Sequence, residues 1–250
     1  MSNSDALIKV GVVGARGRMG QSVVKAVTEA QDCVLNASVD QGDDLNLVND
    51  CDVVIDFTTP DVVMPTLSHC IAKGVHCVVG TTGFDDERLQ QIQTWLKGAP
   101  TVGVLIAPNF GIGAVLMMQF AQLAAPYFES VEIVELHHPD KVDAPSGTAR
   151  HTAELISKVR AEQGIAVSPD ATTQEIDGAR GASIGDVRVH AVRARGLVAH
   201  QEVIFGGIGE TLTIRHDSMD RTSFMPGVLL GVRRVGQHPG LTVGLDAFLK

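Results

Sequence analysis

Apolar, β-branched runs alternate with segments of helical period through the first half of the chain. In order they read IKVGVVG, RMGQSVVKAVTEA, CVLNASVD, CDVVIDFT, MPTLSHCIAKG, VHCVVG, DERLQQIQTWLKG and TVGVLIAP. Runs such as VVIDF and VGVLIA are apolar without alternation, as in strands buried on both faces, and strands that alternate with helices pair in parallel through crossovers. The first half is therefore predicted as α/β, with a doubly wound parallel sheet. Past Asn109 the pattern changes. A long apolar helix over about 112–128 leads into the strand VEIVELHH, and a second helix covers about 147–163. The polar segment SPDATTQEIDGARGAS reads as a loop. Beyond it, DVRVHAVRA, HQEVIFG and ETLTIRHDS are strands joined by short turns. Four strands with helices on one face predict an α+β lobe with a four-stranded sheet. The stretch RTSFMPGVLLGVRRVGQ is helical again and is predicted to return to the first lobe. MSNSDAL reads as a disordered start.

Composition narrows the function classes. The 250 residues carry 29 acidic and 20 basic side chains, a formal charge of −9. That balance argues against a sequence-independent nucleic-acid surface, so an anionic ligand must be caught by a local cluster. Cys33, Cys51, Cys70 and Cys77 form neither a CxxC metal pair nor a disulfide framework; reduced core thiols and a cytoplasmic protein are the expectation. No apolar run approaches the roughly 20 residues that span a bilayer, and no membrane partner is expected.

The segment GVVGARGRMGQSVV puts Gly14, Gly17 and Gly20 where the first strand meets the first helix. Glycine there allows a tight turn and close approach to a pyrophosphate, which then sits on a helix N-terminus. The spacing is GxxGxxG rather than GxGxxG, and a bare turn uses the same residues. Context adds weight: Asp40 closes the second strand, placed to accept hydrogen bonds from an adenosine ribose. This favours NADH, while Arg16 and Arg18 in the loop are equally consistent with a 2′-phosphate contact, as in NADPH, or with a solvated face. Two further strand ends, VHCVVGTTGF and VGVLIAPNFGIG, offer Gly80, Thr81, Thr82 and the backbone of Ala107, Pro108, Asn109 and Phe110 for a nicotinamide, although ordinary βα turns use these types too. DFTTP, with Phe57 and Thr58, is a weaker candidate of the same kind.

In ELHHPDKVDAPSGTARH a strand runs out into a loop, and Pro145, Ser146, Gly147 and Thr148 mark a helix start. Ser146 as N-cap with backbone N–H groups at Gly147 and Thr148 makes a carboxylate site. His137 and His138 project to opposite sides if the strand continues through them. A single histidine is usually structural and a lone lysine solvated; two histidines with Lys141 at an anion-binding helix end can hold charge and move a proton. Asp143 is placed to fix the loop or orient Lys141. No ligand spacing for a metal is present.

GVVGARGRMG, VVIDFTTP, VVGTTGF, LIAPNFGIGAVL and above all ELHHPDKVDAPSGTA resemble the 4-hydroxy-tetrahydrodipicolinate reductase (dihydrodipicolinate reductase) family of lysine and diaminopimelate biosynthesis, over nearly the whole chain. The resemblance implies a Rossmann-type dinucleotide-binding domain at 1–110 and 217–250 and a substrate-binding and tetramerisation domain at 111–216, with hinges near 110 and 216. It implies NADH and/or NADPH as cofactor, a small cyclic dicarboxylate as substrate and a homotetramer. By position, His137 matches the general acid/base and Lys141 the proton donor; His138, Gly147 and Thr148 match substrate contacts, with Ser146 and Arg221 as further candidates. Gly14, Ala15, Arg16, Gly17, Arg18, Met19, Gly80 to Thr82 and Ala107 to Phe110 match nucleotide contacts, and Asp40 the ribose acid. Some members follow that acid with an arginine for a 2′-phosphate; here Gln41 follows. The implied chemistry is hydride delivery to ring carbon 4 and protonation at carbon 3. Two alternatives share the first lobe: a dehydrogenase for another small acid, and a dinucleotide sensor without catalysis.

Overall fold

A computed structural model describes residues 6–249; most of the start expected to be disordered, residues 1–5, lies outside them. The chain divides into two compact units, one running to Ile112 and resuming at Arg221, the other Gly113–Asp220.

In the first unit, strands β1 (Ile8–Val13), β2 (Cys33–Val39), β3 (Val53–Asp56), β4 (His76–Val79), β5 (Gly103–Ile106) and β11 (Gly240–Val243) form one sheet in the order β11-β5-β4-β3-β1-β2. Every pairing in it is parallel. Helices α1 (Arg18–Glu29), α2 (Val63–Lys73), α3 (Asp86–Lys97) and α6 (Met225–Arg234) supply the layers around it. The runs read as doubly buried are so: all four residues of β3 and of β5 are buried. Register then does the positioning. Val13 pairs with Val39 and Asp56, Asp56 with Val79, and Val79 with Ile106, so the carboxyl ends of five strands finish level along one edge.

The second unit holds α4 (Ile112–Ala124) from Gly113 onward, β6 (Ser130–His137), α5 (Gly147–Glu162), β7 (Ala182–Ile184), β8 (Val187–Arg193), β9 (Ala199–Gly207) and β10 (Glu210–Ser218). Its sheet is mixed and five-stranded, in the order β10-β9-β6-β8-β7. The expectation of four strands is corrected here: the end of the segment read as a loop pairs with β8 as the short edge strand β7. The sixth strand of the first sheet, β11, was likewise not expected. In β6 the odd positions Val131 and Ile133 are buried and pack with Ala149, Ala153 and Ile156 of α5 and with Val189, Val203 and Phe205 of the neighbouring strands. The even positions Val134 and Leu136 lie on the opposite face and are only partly covered.

All four cysteines are free and buried. No helix among the described residues is long and apolar enough to cross a membrane, and no group of three or more His, Cys, Asp or Glu among them could hold a metal ion.

One buried cation closes the far end of the second unit. Arg160 of α5 is fully buried; its Nε donates to Asp186 Oδ2 at 2.7 Å, and its terminal nitrogens reach the carbonyls of Phe128, Glu129 and Ala166 at 2.8–3.0 Å. These bonds tie the end of α5 to the turn before β6 and to the loop after the helix. Arg160→Met leaves the carboxylate and the carbonyls without their donor, so a destabilisation of about 3–5 kcal/mol is expected. The midpoint of urea unfolding measures it; a midpoint like the wild type's would contradict this role for Arg160.

Candidate functional site

In the first unit the predicted nucleotide residues gather along the carboxyl edge of the parallel sheet. Gly14 has φ +83°, and a Cβ there would lie 2.6 Å from the Phe57 carbonyl oxygen; a Cβ on Gly20 would lie 2.0 Å from the Gly14 carbonyl oxygen. Only glycine allows the strand-to-helix turn this tightness. The N–H groups of Gly14 and Ala15 donate to Val39 O at 2.9 and 3.2 Å and lock the loop onto the end of β2. Gly17 caps α1 without a side-chain bond, and the first turn, with Arg18 and Met19, has no acidic residue. The exposed helix end is thus electropositive and fits a phosphate.

Asp40, just after β2, accepts from Arg16 N at 2.7 Å and from Gln41 N at 2.8 Å. These backbone donors, Arg16 N–H first, hold its carboxyl below the usual aspartate range, leaving an ionised acceptor suited to ribose hydroxyls. The Arg16 guanidinium pairs with Asp43 at 2.9 Å, and Arg18 is exposed. At the ends of β3 and β4, Asp56 is buried; its Oδ1 accepts from Thr58 N at 3.0 Å and from the hydroxyls of Thr58 and Thr81 at 2.7 Å each. Burial pushes the Asp56 carboxyl up, against the pull of these hydroxyls. The Thr81 side chain is therefore spent on the fold, and with Gly80, backed by the Phe57 ring, it offers backbone; Thr82 is exposed. After β5, Ala107 and Phe110 are buried, with the Phe110 ring 5.7 Å from that of Phe57, whereas Pro108 is exposed and Asn109 Oδ1 accepts from Gly111 N at 2.7 Å.

In the second unit the histidine and lysine segment is organised by a residue that the sequence did not single out. Glu135 occupies the inward row of β6 after Val131 and Ile133 and is fully buried. Its carboxylate accepts from Arg193 Nη1 and Nη2 at 2.8 and 2.7 Å, from Ser146 N at 3.0 Å, and from His137 Nδ1 at 2.5 Å. Burial alone would push the Glu135 carboxyl up, but Arg193, His137 and the Ser146 amide together bring it below the usual glutamate range. An ionised carboxylate only accepts, so His137 Nδ1 carries the hydrogen and Nε2 is the nitrogen that exchanges a proton. Burial lowers the His137 pKa, opposed by Glu135 and assisted by the positive charges of Lys141 and Arg193. Burial thus works against an ion pair at this contact, and the Glu135 carboxylate works for one.

The strand stops at His137, and His138 lies exposed in the loop. The histidines differ in environment because one is in the sheet and the other is not. Ser146 is buried and caps α5 as expected, its Oγ accepting from Ala149 N at 3.2 Å, and its own N–H donates to Glu135. The Gly147 N–H is not free: it donates to Asp143 Oδ2 at 3.1 Å, while Asp143 Oδ1 accepts from Lys141 Nζ at 2.6 Å. Lys141 first, then the local backbone, holds the Asp143 carboxyl below its usual range. Thr148, in the first turn of α5, is partly buried. Arg221 is exposed and opens a 3₁₀ turn at the start of the segment that returns to the first unit.

Glu135 had a signal in the sequence: a carboxylate at an odd position of VEIVELHH, in phase with the buried Val131 and Ile133. Arg193, Asp43 and Asp56 had none beyond their type.

Sequence models of two families match the chain: "Dihydrodipicolinate reductase, N-terminus" over residues 8–110 and "Dihydrodipicolinate reductase, C-terminus" over 113–249. The 4-hydroxy-tetrahydrodipicolinate reductases of Nocardia farcinica and Corynebacterium diphtheriae are 62% and 60% identical to it, each over 97% of this chain and 98% of the relative. The structure of dihydrodipicolinate reductase from Paenisporosarcina sp. TG-14, solved with dipicolinate bound, superposes with a TM-score of 0.88 at 39% identity, covering 97% of this chain and 99% of that one. A scyllo-inositol dehydrogenase from Lactobacillus casei, 13% identical over 99% of this chain and 93% of its own with a TM-score of 0.61, shares the fold alone. The chain belongs to the dihydrodipicolinate reductase family, whose relatives carry the name 4-hydroxy-tetrahydrodipicolinate reductase.

Proposed function

We propose that the protein reduces 4-hydroxy-tetrahydrodipicolinate, through dihydrodipicolinate, to tetrahydrodipicolinate in the cytoplasm, within diaminopimelate and lysine biosynthesis. The first unit binds the reduced dinucleotide and the second binds the dicarboxylate. One substrate, one NADH or NADPH and one proton give one product, the oxidised dinucleotide and water. The observation that carries the reading is the arrangement at the start of α5, where the Gly147 N–H and Lys141 Nζ already hold a carboxylate, that of Asp143. A helix N-terminus with an ammonium beside it stabilises a carboxylate whichever molecule supplies it. A substrate carboxylate takes the place of Asp143, with the Thr148 amide and His138 as further contacts.

The bound reduced dinucleotide supplies a hydride to ring carbon 4. The glycine loop, the uncapped start of α1 and the Asp40 carboxylate fit its pyrophosphate and ribose, and the backbone around Gly80 and Ala107 fits its nicotinamide end. As hydride arrives, negative charge develops along the ring toward its nitrogen, and Lys141 stabilises that charge. The proton for carbon 3 comes from Lys141, or from His137 Nε2 once the imidazole has become an imidazolium. Glu135 fixes the imidazole tautomer that makes His137 competent.

The face of the second sheet opposite α5, with Val134, Leu136 and Ile204 only partly covered, supports assembly of four copies through this unit. Sedimentation equilibrium is expected to give the tetramer mass; a monomer would refute that part. For the chemistry, Lys141→Ala is expected to lower kcat/KM by about 100-fold or more while NADH affinity is retained; wild-type turnover in an assay coupled to condensation of pyruvate with aspartate semialdehyde would remove Lys141 from the site. The Glu135 carboxylate raises the His137 pKa, so Glu135→Gln lowers it further. If protonated His137 delivers the proton, activity falls as pH rises through its pKa, and the alkaline limb of the pH-rate profile moves to lower pH in the variant. A limb that stays in place while turnover persists would contradict this coupling.

A further inference from the structure

The turn that follows the ribose acid carries a second carboxylate that the proposed chemistry does not use. Residues Asp40 to Asp43 close on themselves. The Asp43 N–H donates to the Asp40 carbonyl at 3.0 Å, and the Asp40 N–H donates back to Asp43 Oδ2 at 2.9 Å. Gly42, third in the turn, has φ +90°, as a type II turn requires. The Asp43 carboxylate is therefore fixed in place beside Asp40. The same oxygen receives Arg16 Nη2 at 2.9 Å, and Oδ1 receives it at 3.1 Å. Arg16 in turn gives its backbone N–H to Asp40. One guanidinium and two carboxylates thus meet in this turn, beside the carboxylate proposed to accept from the ribose.

We infer that Asp43 is a specificity-determining residue that works through Arg16, disfavouring a dinucleotide with a 2′-phosphate relative to one with a free 2′-hydroxyl. This rests on the dinucleotide reading of the first unit and goes beyond it. A 2′-phosphate brings about two negative charges and needs a donor such as a guanidinium. Gln41 provides no cation. Arg16 is the loop cation whose side chain reaches this turn, and Asp43 both neutralises it and occupies its Nη2. A 2′-hydroxyl makes no such demand, because Asp40 keeps acceptor capacity on both oxygens. The Arg16–Asp43 pair is solvent-exposed, so its strength is modest and the discrimination is graded rather than absolute.

The test uses binding to the full-length protein, followed by the fluorescence of NADH and NADPH, so it does not depend on the substrate. Asp43→Asn keeps an acceptor for the Asp40 N–H and removes the charge. The ratio of NADPH to NADH affinity is expected to rise by roughly five- to tenfold, the size of effect that one exposed guanidinium–phosphate pair and the loss of one carboxylate's repulsion produce together. In the Arg16→Ala background the same substitution is expected to change the ratio far less. A ratio that does not move, or loss of both affinities by one factor, would show a purely structural turn and overturn the inference. A shift that persists in full without Arg16 would overturn action through that residue. Failure of the wild type to bind either dinucleotide would overturn the dinucleotide reading itself, and this inference with it.

Discussion

A carboxylate with no exposure to solvent, Glu135 in the central strand of the second sheet, is the constraint on which the candidate site depends. Removing an ion of this size from water costs several kcal/mol, and burial is tolerated only where the lone pairs are filled by well-aligned donors. Glu135 finds four, from a bidentate guanidinium on the next strand, an imidazole two residues on and a backbone N–H at the helix cap. The four donors come from three residues, on β6, on β8 and at the start of α5, brought to one point. The exposed loop between β6 and α5 is consequently pinned at both ends: His137 and Ser146 bond to Glu135, and Arg193 Nη2 also holds the Asp143 carbonyl at 2.8 Å.

The first unit uses the same device at smaller scale. Asp56, at the end of β3, gathers Thr58 and Thr81, so that the turns after β3 and β4 are set relative to each other by one buried acid. In both units a strand interior supplies rigidity and an inward acid passes it on to the polar loop beyond. The groups held this way offer backbone or a single ring nitrogen, and their geometry is settled before any ligand arrives.

Much of this was legible in the pattern of apolar and polar residues, and the reasons for the remainder are physical. Doubly buried strands, crossover helices and the Ser146 cap follow from local rules and stand where they were expected. β7 and β11 escaped because three and four residues at a sheet edge carry too little periodicity to separate from a loop. Glu135 was readable from the parity of VEIVELHH but was overshadowed by the histidines beside it. Arg193 was not readable: its partner lies 58 positions away, and only the pairing of His137 with Arg193 across β6 and β8 brings them together. Asp43 had a plain role as a turn residue, and nothing in its neighbourhood announced a bond to a loop 27 positions earlier.

The distribution of exposure separates what the site must keep from what it must exchange. The Glu135 bonds are buried, and breaking one strands a charge. Lys141–Asp143 and Arg16–Asp43 are ion pairs open to water, of the kind that contributes about 0–1 kcal/mol. Such pairs are held strongly enough to orient a lysine or an arginine and weakly enough to be given up when a better anion comes. The lysine and the arginine are thus paired with carboxylates that water reaches, whereas His137 is tied to a carboxylate that water cannot reach.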